Sequence, residues 1–418
     1  MPGGFLNRHR AERLMAEQGI DALVLAQPET ITYATGAFPG VAAYWRRAGA
    51  AFVVVPADSA APLVAIVGDL QAQSFASQSG IADVRSHRIW VETGQFDPVH
   101  DSPDDVALAL GRNDLLIGKP ERQPRPAQFS LETALSQLRD VLAERGLLAA
   151  RIGLELGFVA AADFPLFKEL LPDVRWADST RLIEQLRAVK APTEIERLRQ
   201  AAELSAAGVS DLMRAIRPGM DAGAMTAVWR DAVLAEAGRR KLPPPDSTWA
   251  YIAVGGDGFV PGGKARTGDV VKIDAGCVIG GYSSDGGRTS VIGRATPNQR
   301  QVYDALRAAF ELGFAELRPW VPLAAVYRSV SQSMWNAGFT TYCRGHFGHG
   351  VGSSIWSEEW PFISAKSTAA AEPGMVLAFE TPYYIAGIGG FIIEDQLLVT
   401  ETGIEVMAPS SRDLIEID

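Results

Sequence analysis

Apolar and polar positions follow two different rhythms along the first part of the chain. Ala22–Leu25 and residues 51–55 are short aliphatic runs without helical spacing, which predicts buried strands. Arg8–Gln18 and residues 131–145 instead carry apolar residues three or four apart on otherwise polar segments, which predicts amphipathic helices. Strands interleaved with helices predict an α/β layer domain over residues 1–175. Beyond Pro172 a polar stretch, 178–181, leads to Lys190-Ala191-Pro192-Thr193-Glu194, where a proline followed by an acidic residue marks a helix start. A boundary is therefore expected between 170 and 190 and is set after residue 175.

From there to residue 418 the pattern occurs twice. A helix starting near Thr193, with Ile195, Leu198, Val209, Leu212 and Ile216 on its apolar positions, stops at Arg217-Pro218-Gly219, and a second helix runs to about Gly238. After Pro297 a helix with Val302, Leu306, Phe310 and Leu317 stops at Arg318-Pro319, and another runs to about Gly338. Each helix pair leads into a β-rich segment, 270–292 and then 376–399. Such self-similarity predicts two helix–helix–hairpin halves that join their strands in one sheet with helices outside.

Composition adds mainly exclusions. The chain has 418 residues with 39 Lys plus Arg against 49 Asp plus Glu, a formal charge of −10, and no long basic run, which argues against nucleic acid as a partner. No apolar run is long enough to span a membrane, and the polar start with Arg8, His9, Arg10 and Arg13 lacks an apolar leader segment. Its two cysteines, Cys277 and Cys343, make no disulfide framework. The expected setting is the reducing cytoplasm.

The candidate chemistry lies on the two β segments. Asp274 ends a buried-looking run, Val270-Val271-Lys272-Ile273-Asp274, and Asp285 follows 11 residues later. A four-residue loop at 278–281 would put them opposite each other across a hairpin. Glu380 and Glu394 are 14 apart, and a three-residue loop at Ala386, Gly387 and Ile388 would set them opposite in the same way. Four carboxylates on strands of Val, Ile, Leu and Phe are costly to bury without a compensating cation. Gly345-His346-Phe347-Gly348-His349-Gly350-Val351-Gly352 offers an imidazole among glycines. Oxygen ligands with one histidine suit Mn²⁺, Fe²⁺, Co²⁺ or Zn²⁺. Two such ions sharing bridging carboxylates would activate water and polarise a substrate carbonyl.

The order Asp274, Asp285, His349, Glu380, Glu394, in the settings Asp274-Ala275-Gly276, Gly348-His349-Gly350-Val351-Gly352, Glu380-Thr381-Pro382-Tyr383-Tyr384 and Ile393-Glu394-Asp395, resembles the pita-bread metallohydrolases: methionine aminopeptidase, aminopeptidase P, prolidase and creatinase. Tyr33-Ala34-Thr35-Gly36 and Leu186-Arg187-Ala188-Val189-Lys190 resemble signposts of the two-domain creatinase and aminopeptidase P branch. The resemblance implies an α+β chain: an α/β creatinase-like domain over 1–175, then a pita-bread catalytic domain over 176–418 with pseudo-twofold halves. It also implies two divalent ions, manganese among the candidates. Asp274 would chelate one, His349 and Glu380 the other, and Asp285 and Glu394 would bridge. A bridging hydroxide would attack a peptide or small amide C–N bond, as in an Xaa-Pro peptidase, and Glu380 would pass the proton to the leaving nitrogen. A homodimer is implied as well.

Three positions depart from the family pattern. A histidine about 17 residues before Asp274 is replaced, on ungapped counting, by Asp257, and no histidine occurs between His100 and His346. Glu358-Glu359-Trp360-Pro361 is the nearest match to an expected His-Glu-x-Pro motif, displaced by two residues and with Glu358 in the histidine slot; ungapped counting would put Trp356 there. Ile392 replaces an arginine two before the last glutamate. Glu358 and His346 therefore join Glu380 as candidate catalytic groups. Two other readings follow: a metal-dependent lyase or other non-peptidase with Glu358 as base, and a non-catalytic binding protein on the same fold.

Overall fold

A computed structural model describes residues 4–417 apart from 93, 95, 102–103, 117–123, 257 and 355–357. The chain divides into two compact units, Met1–Ile183 and Glu184–Asp418. The polar stretch 178–181 opens the helix Thr180–Ala188, and the division falls within that helix.

The first unit is an α/β layer. Its six-stranded sheet runs in the order Asp83–His87, Val64–Gly68, Phe52–Pro56, Ala22–Leu25, Arg151–Leu154, Arg175–Asp178. The aliphatic strands Ala22–Leu25, Phe52–Pro56 and Val64–Gly68 are buried along their whole length. Leu131–Glu144 is an amphipathic helix: Ser130 accepts the Thr133 N–H at its start, and Ala134, Leu135, Leu138, Val141 and Leu142 enter the core.

The second unit carries the repeat. Helix pairs Pro192–Ala215 with Ala222–Arg239, and Pro297–Glu316 with Leu323–Asn336, each precede β structure. Both long helices place proline in the first turn, where its missing N–H costs nothing. Thr296 and Gln299 close a reciprocal capping box on the second. Their apolar faces form two cores against one sheet, one around Leu204, Leu212, Trp229 and Ile273, the other around Leu306, Phe310, Val330 and Phe379. The main path of that sheet runs Tyr282–Ser283, Val270–Ile279, Gly287–Ile292, Glu394–Val399, Val376–Glu380, His346–Gly350, Glu359–Ser364. The Gly287–Ile292 and Glu394–Val399 strands pair antiparallel at the centre and join the two halves.

Two hairpins set the register of the carboxylates. In the second, Tyr383 pairs Phe391 and Ile385 pairs Gly389, which leaves 386–388 as the loop and puts Glu380 directly opposite Glu394, as the spacing predicts. The first differs from expectation. Tyr282 pairs Ile279, so the turn is the two residues Gly280 and Gly281, both with positive φ (55° and 82°). Two glycines permit this tight primed turn, whose twist suits the strands. Asp274 consequently pairs Gly287, and Asp285 lies further back toward the turn rather than opposite Asp274.

The strand Glu359–Ser364 is tied down at its first residue. Arg187 and Lys190 converge on the Glu359 carboxylate, with the Lys190 ammonium 3.7 Å away and its side chain only 1% exposed. Removing one partner of a buried charge group leaves the others uncompensated. Glu359→Ala should therefore destabilise the protein by about 3 kcal/mol, read as a lower midpoint in urea; an unchanged midpoint would refute the role given to this cluster.

Candidate metal centre

The centre is built where the two central hairpins meet. Successive side chains on a strand point to opposite faces, and this separates two adjacent carboxylates. Asp395 turns to Arg288 and Arg412, at 2.6 and 2.7 Å. Glu394 turns the other way, toward Asp285, Asp274 and Glu380. Burial first, then those three carboxylates, hold it well above the ordinary carboxylate range. His349 arrives from the His346–Gly350 strand, on the far side of Val376–Glu380, where it pairs Ala378. The close approach depends on Gly348, whose φ is 137° and where a Cβ would lie 2.1 Å from the Ala378 carbonyl oxygen.

Ligand atoms of Asp285, His349 and Glu394, all buried, lie within 4.8 Å of one another. His349 directs Nδ1 at the Gly350 carbonyl, 3.0 Å away, which leaves the Nε2 lone pair toward Asp285 Oδ2 at 3.6 Å. That separation is long for a hydrogen bond, whereas two atoms each about 2.1 Å from one tetrahedral ion lie about 3.4 Å apart. The donor set, two carboxylates and one imidazole, therefore fits a divalent cation.

The other two predicted ligands flank this trio, and each already has a basic neighbour. Lys272 Nζ donates to Asp274 Oδ2 at 3.1 Å; burial, the largest single influence, works against its charge, but Asp274, Tyr384 and Glu394 together hold the ammonium above its ordinary pKa. Arg344 Nη2 donates to Glu380 Oε1 at 2.9 Å, and its Nε donates to the His346 carbonyl. Burial raises Glu380 too. His346 stands edge-on to His349, ring centroids 5.8 Å apart, with Nδ1 3.6 Å from Glu380 Oε1. Burial, then Arg344 and His349, push its imidazole down to about 4. Its Nδ1 accepts the Gly348 N–H, so the neutral ring carries its proton on Nε2. Glu358 is exposed just before the Glu359–Ser364 strand, and its charge acts on both His346 and Glu380.

Sequence reasoning passed over Lys272 and Arg344 as site groups. The signal for Lys272 was available: it stands two before Asp274 on one strand and hence on the same face. Ile392, in the expected arginine position, is buried against Gly287, so the cation on the glutamate side comes from Arg344 instead. Asp257 and Trp356, the ungapped counterparts of two family histidines, lie outside the described residues. Cys277 is no nucleophile: burial pushes its thiol up to about 12 and it donates to the Ala201 carbonyl.

Residues 196–401 match the model of metallopeptidase family M24, and residues 8–189 that of the creatinase/prolidase N-terminal domain. The chain belongs to metallopeptidase family M24. It is the two-domain, creatinase-type form of that family and a metal-dependent hydrolase. An Xaa-Pro dipeptidase of Pyrococcus furiosus is 29% identical over 239 residues, 56% of this chain and 67% of the relative. A protein of Sinorhizobium fredii described as an uncharacterized hydrolase/peptidase, y4tL, is 24% identical over 99% of this chain and 96% of its own. The solved structure of an Xaa-Pro dipeptidase from Bacillus anthracis superposes with a TM-score of 0.76 at 21% identity, over 98% of this chain and 99% of that one. Among the described residues no helix of this M24 protein is long and apolar enough to cross a membrane.

The repulsion around Glu394 leads to a stability test. In metal-free protein, at a pH high enough to ionise Glu394, Glu394→Gln removes a buried charge facing three carboxylates and should stabilise the fold by on the order of 1 kcal/mol, read as a higher melting temperature. A lower melting temperature in chelator would contradict the electrostatics described here.

Proposed function

We propose that this chain hydrolyses the amide bond of short peptides, Xaa-Pro dipeptides first among them, or of a small non-peptide amide, at two divalent ions held by Asp274, Asp285, His349, Glu380 and Glu394. The observation that carries this reading is the convergence of Asp285, His349 and Glu394, with Asp274 and Glu380 at its flanks. Relatives named Xaa-Pro dipeptidase support the substrate class. Asp285 and Glu394 would bridge, Asp274 would complete one ion's ligands, and His349 and Glu380 the other's. Manganese, iron, cobalt and zinc all suit this donor set. The proposal includes a homodimer in the cytoplasm, a compartment consistent with the unpaired Cys277 and Cys343.

Bound ions would supply a Lewis acid for the carbonyl and water activated at neutral pH. Glu380, oriented by Arg344, takes the proton of the attacking water and delivers it to the leaving nitrogen. His346, neutral and protonated on Nε2, donates a hydrogen bond to the substrate beside it. A second reading, elimination with Glu358 as base, draws on the charge of Glu358 acting at His346 and Glu380.

One experiment separates the two. Protein reconstituted with Mn²⁺ is given a panel of Xaa-Pro dipeptides and small amides in ¹⁸O-water. Hydrolysis places one labelled oxygen in the new carboxylate, and Glu358→Gln keeps the rate within about tenfold. Label-free product, together with a loss of about 10²-fold or more in Glu358→Gln, would favour elimination. No turnover of any amide would overturn the proposal.

A further inference from the structure

The two halves of the catalytic sheet meet along a seam that main-chain pairing alone does not close. Among the described residues the strands Gly287–Ile292 and Glu394–Val399 pair at a single position, Gly287 with Glu394. Continued antiparallel, that register would set Thr289 against Ile392 on one side and Asp285 against Gln396 on the other. Side chains take over at both. The Thr289 hydroxyl accepts the Ile392 N–H at 2.8 Å and donates to the Ile392 carbonyl at 2.9 Å. At the other end the Asp285 N–H is donated to Oε1 of Gln396, at 3.1 Å. The Gln396 amide is itself fixed, because its Nε2 donates to the Leu198 carbonyl of the helix Pro192–Ala215 at 3.0 Å and the residue is 4% exposed. One orientation of the amide satisfies both partners.

This bond governs the spacing of two candidate ligands. Asp285 and Glu394 stand on opposite sides of the seam, and Asp285 lies in the stretch 284–286, between strands. Ser284 and Gly286 tie that stretch to Cys277 and Ala275 of its own half, whereas Gln396 ties Asp285 to the strand that carries Glu394. Removing the Gln396 carbonyl would take this acceptor from a buried N–H, a cost that the segment relieves by shifting. We infer that Gln396 is a positioning residue of the metal centre: it holds Asp285 at the distance from Glu394 at which the two carboxylates share a divalent cation. Gln396 is not a ligand, and it acts through the main chain of one. The inference rests on the metal-centre reading of the preceding section and goes beyond it, since that reading assigns ligands and nothing that spaces them. Groups that orient a ligand in this way set metal affinity by about 10- to 100-fold.

Equilibrium dialysis of the full chain against Mn²⁺, with bound metal counted by elemental mass spectrometry, tests it. Gln396→Met is close in volume but lacks the amide, and it should raise the half-saturating Mn²⁺ concentration by about tenfold or more. Gln396→Leu serves if the methionine variant misfolds. Gln396→Glu keeps an acceptor at the same reach and should bring the affinity back to within about threefold of wild type, whereas Gln396→Asp carries the same charge on a shorter arm and should not. Leu212→Ala opens a cavity in the core under the same helix; it should lower the urea midpoint yet leave the affinity within about twofold, which separates positioning from a general loss of stability. An affinity unmoved in the folded methionine or leucine variant, lost equally in Leu212→Ala, or no better in Gln396→Glu than in Gln396→Asp, would overturn the role of Gln396 and leave the metal centre standing. A wild-type chain that binds no Mn²⁺ would overturn the metal centre itself.

Discussion

Carboxylates held close together on buried strands are the constraint around which the catalytic unit is organised. Glu394 is buried in a central strand and faces Asp285, Asp274 and Glu380, so its charge is opposed by its neighbours as well as by loss of water. A folded protein keeps such an arrangement only when something outside the carboxylates compensates it. Part of the compensation is in the chain, through Lys272 on Asp274 and Arg344 on Glu380. The remainder falls at the trio of Asp285, His349 and Glu394, whose donor atoms suit a divalent cation.

The repeated architecture supplies the rigidity that this arrangement needs. Each half contributes one hairpin and one helix pair, and the apolar faces of the helices form separate cores under the two hairpins. Glu394 meets Gly287 where the central strands join, so ligands from both halves are set by backbone pairing rather than by loops. The opposite face of the same strand is satisfied separately, with Asp395 bound by Arg288 and Arg412. One pair of neighbouring residues thus serves two purposes: Asp395 locks the strand with paired charge, and Glu394 presents its carboxyl to the other acids of the cluster.

Much of this was legible in the sequence because it depends on period and spacing. The helix pairs, the β segments and the pairing of Glu380 with Glu394 all follow from local pattern, and Ala386-Gly387-Ile388 fixes the latter register through loop length alone. The first hairpin was misread by its turn: with Gly280 and Gly281 adjacent, a two-residue turn is accessible, and it shifts Asp285 away from the position opposite Asp274. Lys272 and Arg344 were harder to see as site groups because a search for ligands looks for acids and histidines, and a basic residue in a strand reads first as a surface position. Only the packing shows that Lys272 is enclosed, and only the fold brings Arg344 to a glutamate 36 positions away. Glu358 shows the converse: its motif position was readable, yet its reach toward His346 and Glu380 comes from the strand that Glu359 anchors.

The central claim is that Asp285, His349 and Glu394 hold a divalent ion. The most direct test is elemental mass spectrometry of the chain purified without chelator and again after reconstitution with Mn²⁺, alongside folded Asp285→Ala protein. The account predicts at least one divalent transition-metal ion per wild-type chain and its loss from the variant. A wild-type chain that takes up no ion after reconstitution, or an Asp285→Ala protein with the same metal content, would contradict it.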